Sequence, residues 1–299
     1  MPRLAVLGQP VAHSRSPAMQ TAALERLGLA DLWSYEAIEV DPDNFATLVS
    51  ELPERGFAGV NVTVPHKLAA LEVADDASPA ANEIGAANTL TFGEGRVRAA
   101  NTDADAIIDA LPRSPDGARA LVMGAGGAAR AAVWALKRAG ADVAIWNRTP
   151  ERANRLAHDL GATPVPSYEL RATSYDVLLN ATTVGLRPTA ASIPDRGSDL
   201  KRLYLDADCL NGRQIVVDLV YGPVETELAA AARGAGATVV DGIEVLVRQG
   251  AASLRLWTNA EPPIETMRAA ARGFDGNNRQ ASRISQARPD HRGGRGRNG

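Results

Sequence analysis

The sequence predicts an α/β protein of two domains, and three observations carry that expectation. Strand-like and helix-like periodicities alternate nearly throughout the chain, the order that covers sheets with helices rather than separating all-α and all-β parts. A strand-like Arg119-Ala120-Leu121-Val122-Met123 runs into Gly124-Ala125-Gly126-Gly127-Ala128-Ala129 and then a helical stretch from Arg130 to Arg138. That strand–loop–helix setting is what a dinucleotide-binding glycine loop requires. Between the halves lies Pro112-Arg113-Ser114-Pro115-Asp116-Gly117, a cluster of breakers suited to a connection.

Each element follows from local pattern. Apolar alternation and β-branched content predict strands at 3–8, 33–40 and 58–64, separated by helices at about 17–29 and 42–55 and followed by one at 66–75. A pair of short strands is expected around Thr89-Leu90-Thr91 and Val97-Arg98-Ala99. The second half supplies the glycine-loop strand, then strands at 141–146, 175–180 and 214–220. After Thr238-Val239-Val240-Asp241-Gly242, helices from Ile243 to about Trp257 and from Pro263 to Arg272 close the fold.

Two stretches carry chemistry. In Asn61-Val62-Thr63-Val64-Pro65-His66-Lys67, polar Asn61 and Thr63 alternate with Val60, Val62 and Val64, giving a strand with one polar edge. Pro65 stops that strand, so Lys67 is expected at a turn or helix start. With Asn101-Thr102-Asp103, the lysine forms a plausible acid/base set beside a polyhydroxylated ligand. Taken singly, Lys67 reads as a solvated lysine and Asp103 as a helix N-cap ahead of Ile107, Ile108 and Leu111. In the glycine loop, Gly124 permits the tight turn, Gly126 lets backbone approach a pyrophosphate, and Ala129 allows close helix–strand packing. The helix start offers free N–H groups and positive dipole charge to phosphates. The next strand ends at Asn147-Arg148-Thr149. No carboxylate stands there for a ribose 2′-hydroxyl, whereas Arg148 suits a 2′-phosphate and Asn147 and Thr149 add hydrogen bonds. The reading is NADP rather than NAD.

Composition excludes other classes. The chain has 299 residues, 45% hydrophobic, with a formal net charge of −3, so a large core is expected and no nucleic-acid footprint. No apolar run approaches the ~20 residues of a membrane span. The start goes straight into Leu4-Ala5-Val6-Leu7 without the apolar region of a signal peptide. Cys209 is the only cysteine, so no intramolecular disulfide forms, and a cytoplasmic setting fits. His13, His66, His158 and His291 lack metal-ligand spacing. Residues 273–299, rich in Arg, Gly and Asn, cannot bury enough surface to offset their ordering entropy, and a disordered basic tail is expected. Such a tail offers charge to RNA or membrane phosphates; a solvated extension is the plainer expectation.

Together the blocks resemble the shikimate dehydrogenase family, from Leu4 to about Arg272. The resemblance rests on Leu7-Gly8-Gln9-Pro10-Val11-Ala12-His13-Ser14-Arg15-Ser16-Pro17, Gly59 to Lys67, Gly85-Ala86-Ala87-Asn88-Thr89 and Asn101-Thr102-Asp103. The glycine loop with Asn147-Arg148-Thr149, then Asn180-Ala181-Thr182-Thr183-Val184-Gly185, Asp218-Leu219-Val220-Tyr221 and Arg248-Gln249-Gly250-Ala251 complete it.

That resemblance implies reversible, NADPH-dependent reduction of 3-dehydroshikimate to shikimate, on the route to aromatic amino acids. It implies Lys67 and Asp103 as the catalytic pair. Ser14 and Ser16 would hold the substrate carboxylate with Tyr221, and Asn61, Thr63, Asn88, Asp103 and Gln249 would read the ring hydroxyls. Two hydroxyls at i and i+2 of an extended segment project to one side, which suits such a fork; helix capping before Pro17 is the alternative role for Ser16. The cofactor would lie on Gly124, Ala125, Gly126, Gly127, Ala128, Asn147, Arg148 and Thr149, with Thr182, Leu219 and Gly242 nearby.

The implied organisation is a substrate-binding α/β domain at 1–103 completed by 241–272, a Rossmann-like NADP-binding domain at 104–240, and a cleft between them bridged by a helix near Asp103. The partner is a small molecule, without metal, nucleic acid or membrane, and the assembly a monomer or homodimer. The chain departs from the family at Met19-Gln20, where His-Asn is common, at Ala87, where valine is common, and after Asp103, where a usual glycine is missing. A quinate/shikimate dehydrogenase of broader substrate or cofactor use and a non-catalytic NADP-binding regulator on the same fold are the alternatives. A folate-linked dehydrogenase is disfavoured by the Ser14/Ser16 fork.

Overall fold

The computed structural model describes residues 1–170, 172–187 and 197–273. The expected tail lies outside these residues apart from Gly273. The first half runs β1 (Arg3–Gly8), α1 (Ser16–Arg26), β2 (Ser34–Glu39), α2 (Phe45–Glu51), β3 (Phe57–Val62) and α3 (Lys67–Glu72). It continues through β4 (Asp76–Ala77), α4 (Pro79–Ile84), β5 (Thr89–Gly93), β6 (Arg96–Ala100) and α5 (Asp103–Ala110). The second half runs β7 (Arg119–Met123), α6 (Gly127–Arg138), β8 (Asp142–Trp146), α7 (Pro150–Leu160), β9 (Thr163–Pro164) and β10 (Val177–Asn180). Then follow α8 (Asp199–Arg202), β11 (Ile215–Asp218), α9 (Glu227–Gly234), β12 (Thr238–Asp241), α10 (Gly242–Thr258) and α11 (Ile264–Arg272).

The strands make two sheets of six. The first has the order β2-β1-β3-β5-β6-β4, with β1 parallel to both β2 and β3 and an antiparallel β3-β5-β6 meander beside them. The second is wholly parallel, β12-β11-β10-β7-β8-β9. Strands buried on both faces need uninterrupted apolar runs, and Leu4-Ala5-Val6-Leu7 and Ala120-Leu121-Val122-Met123 are such runs, all buried. The strand order of the second sheet reverses between β7 and β10, and ligands of open α/β sheets bind at that switch, beyond the carboxyl ends of the strands.

Chain order alone does not reveal where α10 and α11 go. α10 leaves β12 of the second sheet yet packs on β3, β5, α1 and α5, while α11 packs on α1. Trp257, at the end of α10, donates its indole N–H to the Leu90 carbonyl of β5 at 3.1 Å. Arg268 of α11 grips both oxygens of Glu244 on α10, at 2.8 and 3.0 Å, and this contact, aided by Arg248, holds the glutamate below the usual carboxylate range.

Several expected elements shift for local reasons. The helix expected over 42–55 is a 3-10 turn at Pro42–Asn44 followed by α2, which ends before Pro53 because proline has no N–H for a continuing helix. β3 stops at Val62, and Val64 is exposed rather than core-facing. Asn61, expected on a polar edge, is buried at 4% exposure because α10 covers that face. Periodicity assigns no element to 78–85, 150–161 and 226–234, although each carries terminus signals. Ser78 caps α4 through Ala81 N and Gly85 ends it at φ 70°; Pro150 opens α7 and Gly161 closes it at φ 64°; Thr226 caps α9 through Ala229 N.

Candidate active site

Lys67 is the first residue of α3 and Asp103 the first of α5. Their side chains meet with Nζ 2.6 Å from Oδ2, both about nine-tenths withdrawn from solvent. Asp103 is not the cap that its position suggested. Asn101 Oδ1 accepts from the N–H groups of Asp103 and Ala104, at 3.1 and 3.3 Å, and so frees the carboxylate for the lysine. Asn88 fixes the other carboxylate oxygen at 3.0 Å while also reaching Thr102 Oγ1 at 2.9 Å and Gln249 Oε1 at 3.2 Å. Two amide hydrogens are thus shared among three acceptors. The expected proximity of Gln249 to the Lys67–Asp103 pair is therefore met through Asn88, because α10 returns to the first sheet.

Lys67, Asn88 and Asp103 line a cavity of about 220 Å³ together with Ser14, Ser16, Asn61, Thr63, Tyr221 and Gln249. The Ser14–Ser16 segment differs from the extended fork expected. Arg15 has helical dihedrals, Ser16 opens α1, and Ser16 N donates to Ser14 Oγ at 3.3 Å. Pro17 pins the helix start there, and Ser16 is no cap. Ser14 interacts with the Tyr221 phenol, whose ionisation burial pushes up. Ser16 interacts with the phenol of Tyr35, which burial raises well above the ordinary tyrosine value. Tyr35 donates to Asn61 Oδ1 at 2.8 Å, and Asn61 Nδ2 donates to Ser253 Oγ at 2.8 Å. Ser253 reaches Thr89 at 2.9 Å, so a buried polar chain runs behind the cavity from Ser16 toward Asn88 and Asp103.

The opposite wall comes from the second sheet: Ala128 of α6, then Thr182, Leu219 and Gly242. Gly124 has φ 121°, which strains any other residue, and it directs the chain from β7 past Ala181. A Cβ built on Gly126 meets no protein atom, leaving room beside the first N–H groups of α6 for a pyrophosphate. Ala125 packs at the edge of the second sheet's core. Asn147, Arg148 and Thr149 follow β8; Asn147 Nδ2 donates to the Thr149 carbonyl at 2.9 Å. Arg148 is exposed and makes no ion pair among the described residues, so its guanidinium is free for a ligand phosphate. The donor set fits NADP. No group of His, Cys, Asp and Glu among the described residues could hold a metal ion.

Sequence reasoning gives no role to Tyr35, Ser253 or His13. His13 lines the cavity, and burial lowers its pKa so that the neutral ring is favoured. Tyr35 and Ser253 look like an ordinary strand aromatic and a mid-helix serine; only their burial beside Asn61 marks them. The departing residues Met19 and Gln20 are both fully buried, and Gln20 Nε2 donates to the Gly250 carbonyl at 2.9 Å, next to Gln249. The departure thus lies behind the cavity wall.

Three family descriptions match in chain order. Residues 6–90 match the shikimate dehydrogenase substrate binding domain, 107–188 shikimate / quinate 5-dehydrogenase, and 242–272 the shikimate 5'-dehydrogenase C-terminal domain. A shikimate dehydrogenase (NADP(+)) of Anaeromyxobacter sp. (strain Fw109-5) is 44% identical over 278 residues, covering 89% of this chain and 94% of the relative. The chain belongs to the shikimate dehydrogenase family. Among solved structures, a shikimate 5-dehydrogenase from Thermus thermophilus in complex with NADP(H) and shikimate is 43% identical. It has a TM-score of 0.78, covering 91% of this chain and 99% of that one. The Mycobacterium tuberculosis shikimate dehydrogenase is 33% identical with a TM-score of 0.75, covering 92% and 100%. In this family member, the start of α6 adjoins the lysine of the Lys67–Asp103 pair, with Gly127 against the Lys67 side chain. No helix among the described residues is long and apolar enough to cross a membrane.

Proposed function

We propose that this chain is an NADP-dependent shikimate dehydrogenase, reversibly reducing 3-dehydroshikimate to shikimate, with Lys67 and Asp103 as its catalytic pair. The observation that carries the reading is the buried Lys67–Asp103 contact at 2.6 Å on the floor of a cavity whose far wall is the glycine-loop helix. NADPH, when bound, supplies the hydride. Reduction of a ketone leaves negative charge on its oxygen, and a positioned ammonium stabilises that charge and delivers the proton. Lys67 performs this step, while Asp103, held by Asn88 and by the start of α5, keeps Nζ aimed into the cavity. In the reverse direction the pair receives the proton of the alcohol as one coupled unit. Ser14, Ser16 and Tyr221 hold the substrate carboxylate at one end, and Asn61, Thr63, Asn88 and Gln249 read the ring hydroxyls.

On this reading the substrate domain comprises 1–103 with 241–272, and the cofactor domain 104–240. The separate apolar cores of the two sheets and the return of α10 to the first sheet support that division. A cytoplasmic monomer or homodimer fits the lone free cysteine and the supply of NADPH.

Oxidation of shikimate with NADP⁺, measured beside quinate and NAD⁺, tests the assignment. The expected result is turnover dominated by shikimate with NADP⁺; equal turnover of quinate moves the substrate reading to the broader enzyme. Arg148→Ala should raise the KM for NADP⁺ by roughly tenfold or more while leaving NAD⁺ little changed, since only NADP⁺ carries the phosphate that Arg148 pairs. Equal kcat/KM for the two cofactors in the unmutated protein would refute the role of Arg148.

A further inference from the structure

The end of β11 brings a buried carboxylate under the cavity without putting it in contact with any cation among the described residues. Asp218 is 1% exposed. Its Oδ1 accepts from Asn180 Nδ2 at 2.9 Å and from Val220 N at 3.1 Å, and its Oδ2 accepts from Thr226 Oγ1 at 2.6 Å. Asn180, itself fully buried at the end of β10, passes the connection on: its Oδ1 accepts from Thr182 N at 3.1 Å and Thr182 Oγ1 at 2.7 Å. The two loops joined in this way are those that leave β10 and β11 at the sheet's switch point. One presents Thr182 to the cavity and the other presents Leu219 and Tyr221.

We propose that Asp218 is a positioning residue, which ties the Thr182 loop to the Leu219–Tyr221 loop and thereby sets the cofactor wall against the tyrosine that reaches Ser14. A buried carboxylate served only by neutral donors is costly to desolvate, and a hydrophobic residue of similar size would serve a merely packed turn. What the carboxylate does that an apolar side chain cannot is accept three hydrogen bonds at once, one from Asn180 of β10, one from Thr226 at the start of α9 and one from Val220 of its own turn. Burial, with the nearby charge of Asp199, pushes its pKa up to about 6. Near and below that pH a proton on the carboxyl removes acceptor capacity, and the two loops lose a shared anchor.

Charged and titratable groups surround it. Asp199 of α8 is paired with Arg187 and Arg202. Glu227 of α9 accepts from Ser198 and Asp199 N. Asp241, opposite Asp218 on β12, caps α10 and pairs with Arg272. On the cavity side stand Tyr221 and His13. The Lys67–Asp103 pair lines the same cavity, so His13 and that pair are the other groups able to produce an acid limb; the His13 variant separates the first, and NADPH affinity, which needs no proton transfer, separates the second.

The inference rests on the proposed activity, and the experiment measures kcat and KM from pH 5 to 8 for the unmutated chain, Asp218→Asn, Thr226→Val, Thr226→Ser and His13→Asn. In the unmutated chain kcat/KM should fall below about pH 6. Asp218→Asn should raise KM for NADP⁺ and shikimate by about tenfold, change kcat by less than about threefold, and lose the acid limb. Thr226→Val, which removes a hydrogen bond that favours the charged form, should shift the limb to higher pH, and Thr226→Ser should restore it. His13→Asn should keep the limb where it was. A limb that survives Asp218→Asn, or that vanishes in His13→Asn alone, overturns the proposal. If Asp218→Asn does not fold, an unmoved limb in Thr226→Val overturns it. If the unmutated chain turns over neither substrate, the activity reading has failed; NADPH affinity by fluorescence titration across the same pH range and variants still reads the positioning role.

Discussion

Lys67→Ala should lower kcat by roughly 10²-fold or more, about 2.7 kcal/mol of transition-state stabilisation, while NADP binding survives. The reason is positional. Among the described residues, the ammonium is the cation on the cavity floor that an adjacent carboxylate aims, and its loss leaves the developing oxyanion to water. Asp103→Asn preserves the shape and the Asn88 contact but removes the charge that holds Nζ at 2.6 Å. It should therefore reduce kcat by a similar order, with smaller effects on KM. Steady-state kinetics of both variants, with NADPH affinity measured by fluorescence titration, check the pair. Near-normal turnover in Lys67→Ala would move proton transfer to another group.

The second large effect is expected at Gly127, where the two halves of the molecule touch at the chemistry. Gly127 opens α6 and Lys67 opens α3. A Cβ on Gly127 would stand 2.5 Å from Lys67 Cβ and 3.2 Å from its Cδ. Because Lys67 Cβ is fixed by its backbone, relief has to come from the helix starts moving apart. A misplacement of about 1 Å between reacting partners costs on the order of 10²-fold in rate, so Gly127→Ala should lower kcat by about that factor. Gly126→Ala is the informative contrast. A Cβ there meets no protein atom and would instead occupy space for the pyrophosphate, raising the KM for NADP⁺ more than it lowers kcat. Full turnover in Gly127→Ala would mean that α3 and α6 yield without cost and that their contact does not set the site's geometry.

Much of the architecture was legible because apolar runs and glycine loops are local signals. The short run Leu4-Ala5-Val6-Leu7 suits a strand buried on both faces, which β1 is, and the strand–glycine loop–helix at 119–138 specifies its own turn. Pro65 puts Lys67 at a turn or a helix start, and of the two the structure has the helix start, since α3 begins there. Among the elements left unassigned, α4 and α9 are short, with six and eight residues, and α7 buries only Ala153, Leu156 and Ala157, yet their ends are written in Ser78, Gly85, Pro150, Gly161 and Thr226.

By itself the sequence determined two α/β units, the glycine loop, the absence of an acidic ribose ligand after β8, and the residue types at the candidate site. Only the tertiary structure decided which of those residues meet. Lys67 and Asp103 are thirty-six positions apart and pair because α3 and α5 start at one end of the first sheet. Gln249 joins them because α10, leaving the second sheet, buries its apolar face on the first. Asp103 is free to hold the lysine because Asn101 takes over its capping role. Asn61 is buried because Ser253 arrives from α10, and Asp218 links two loops because β10 and β11 are neighbours in the sheet. Local patterns fix what each segment becomes, since propensity and burial act over a few residues. Hydrogen bonds between distant segments exist only after packing has brought their donors and acceptors within about 3 Å.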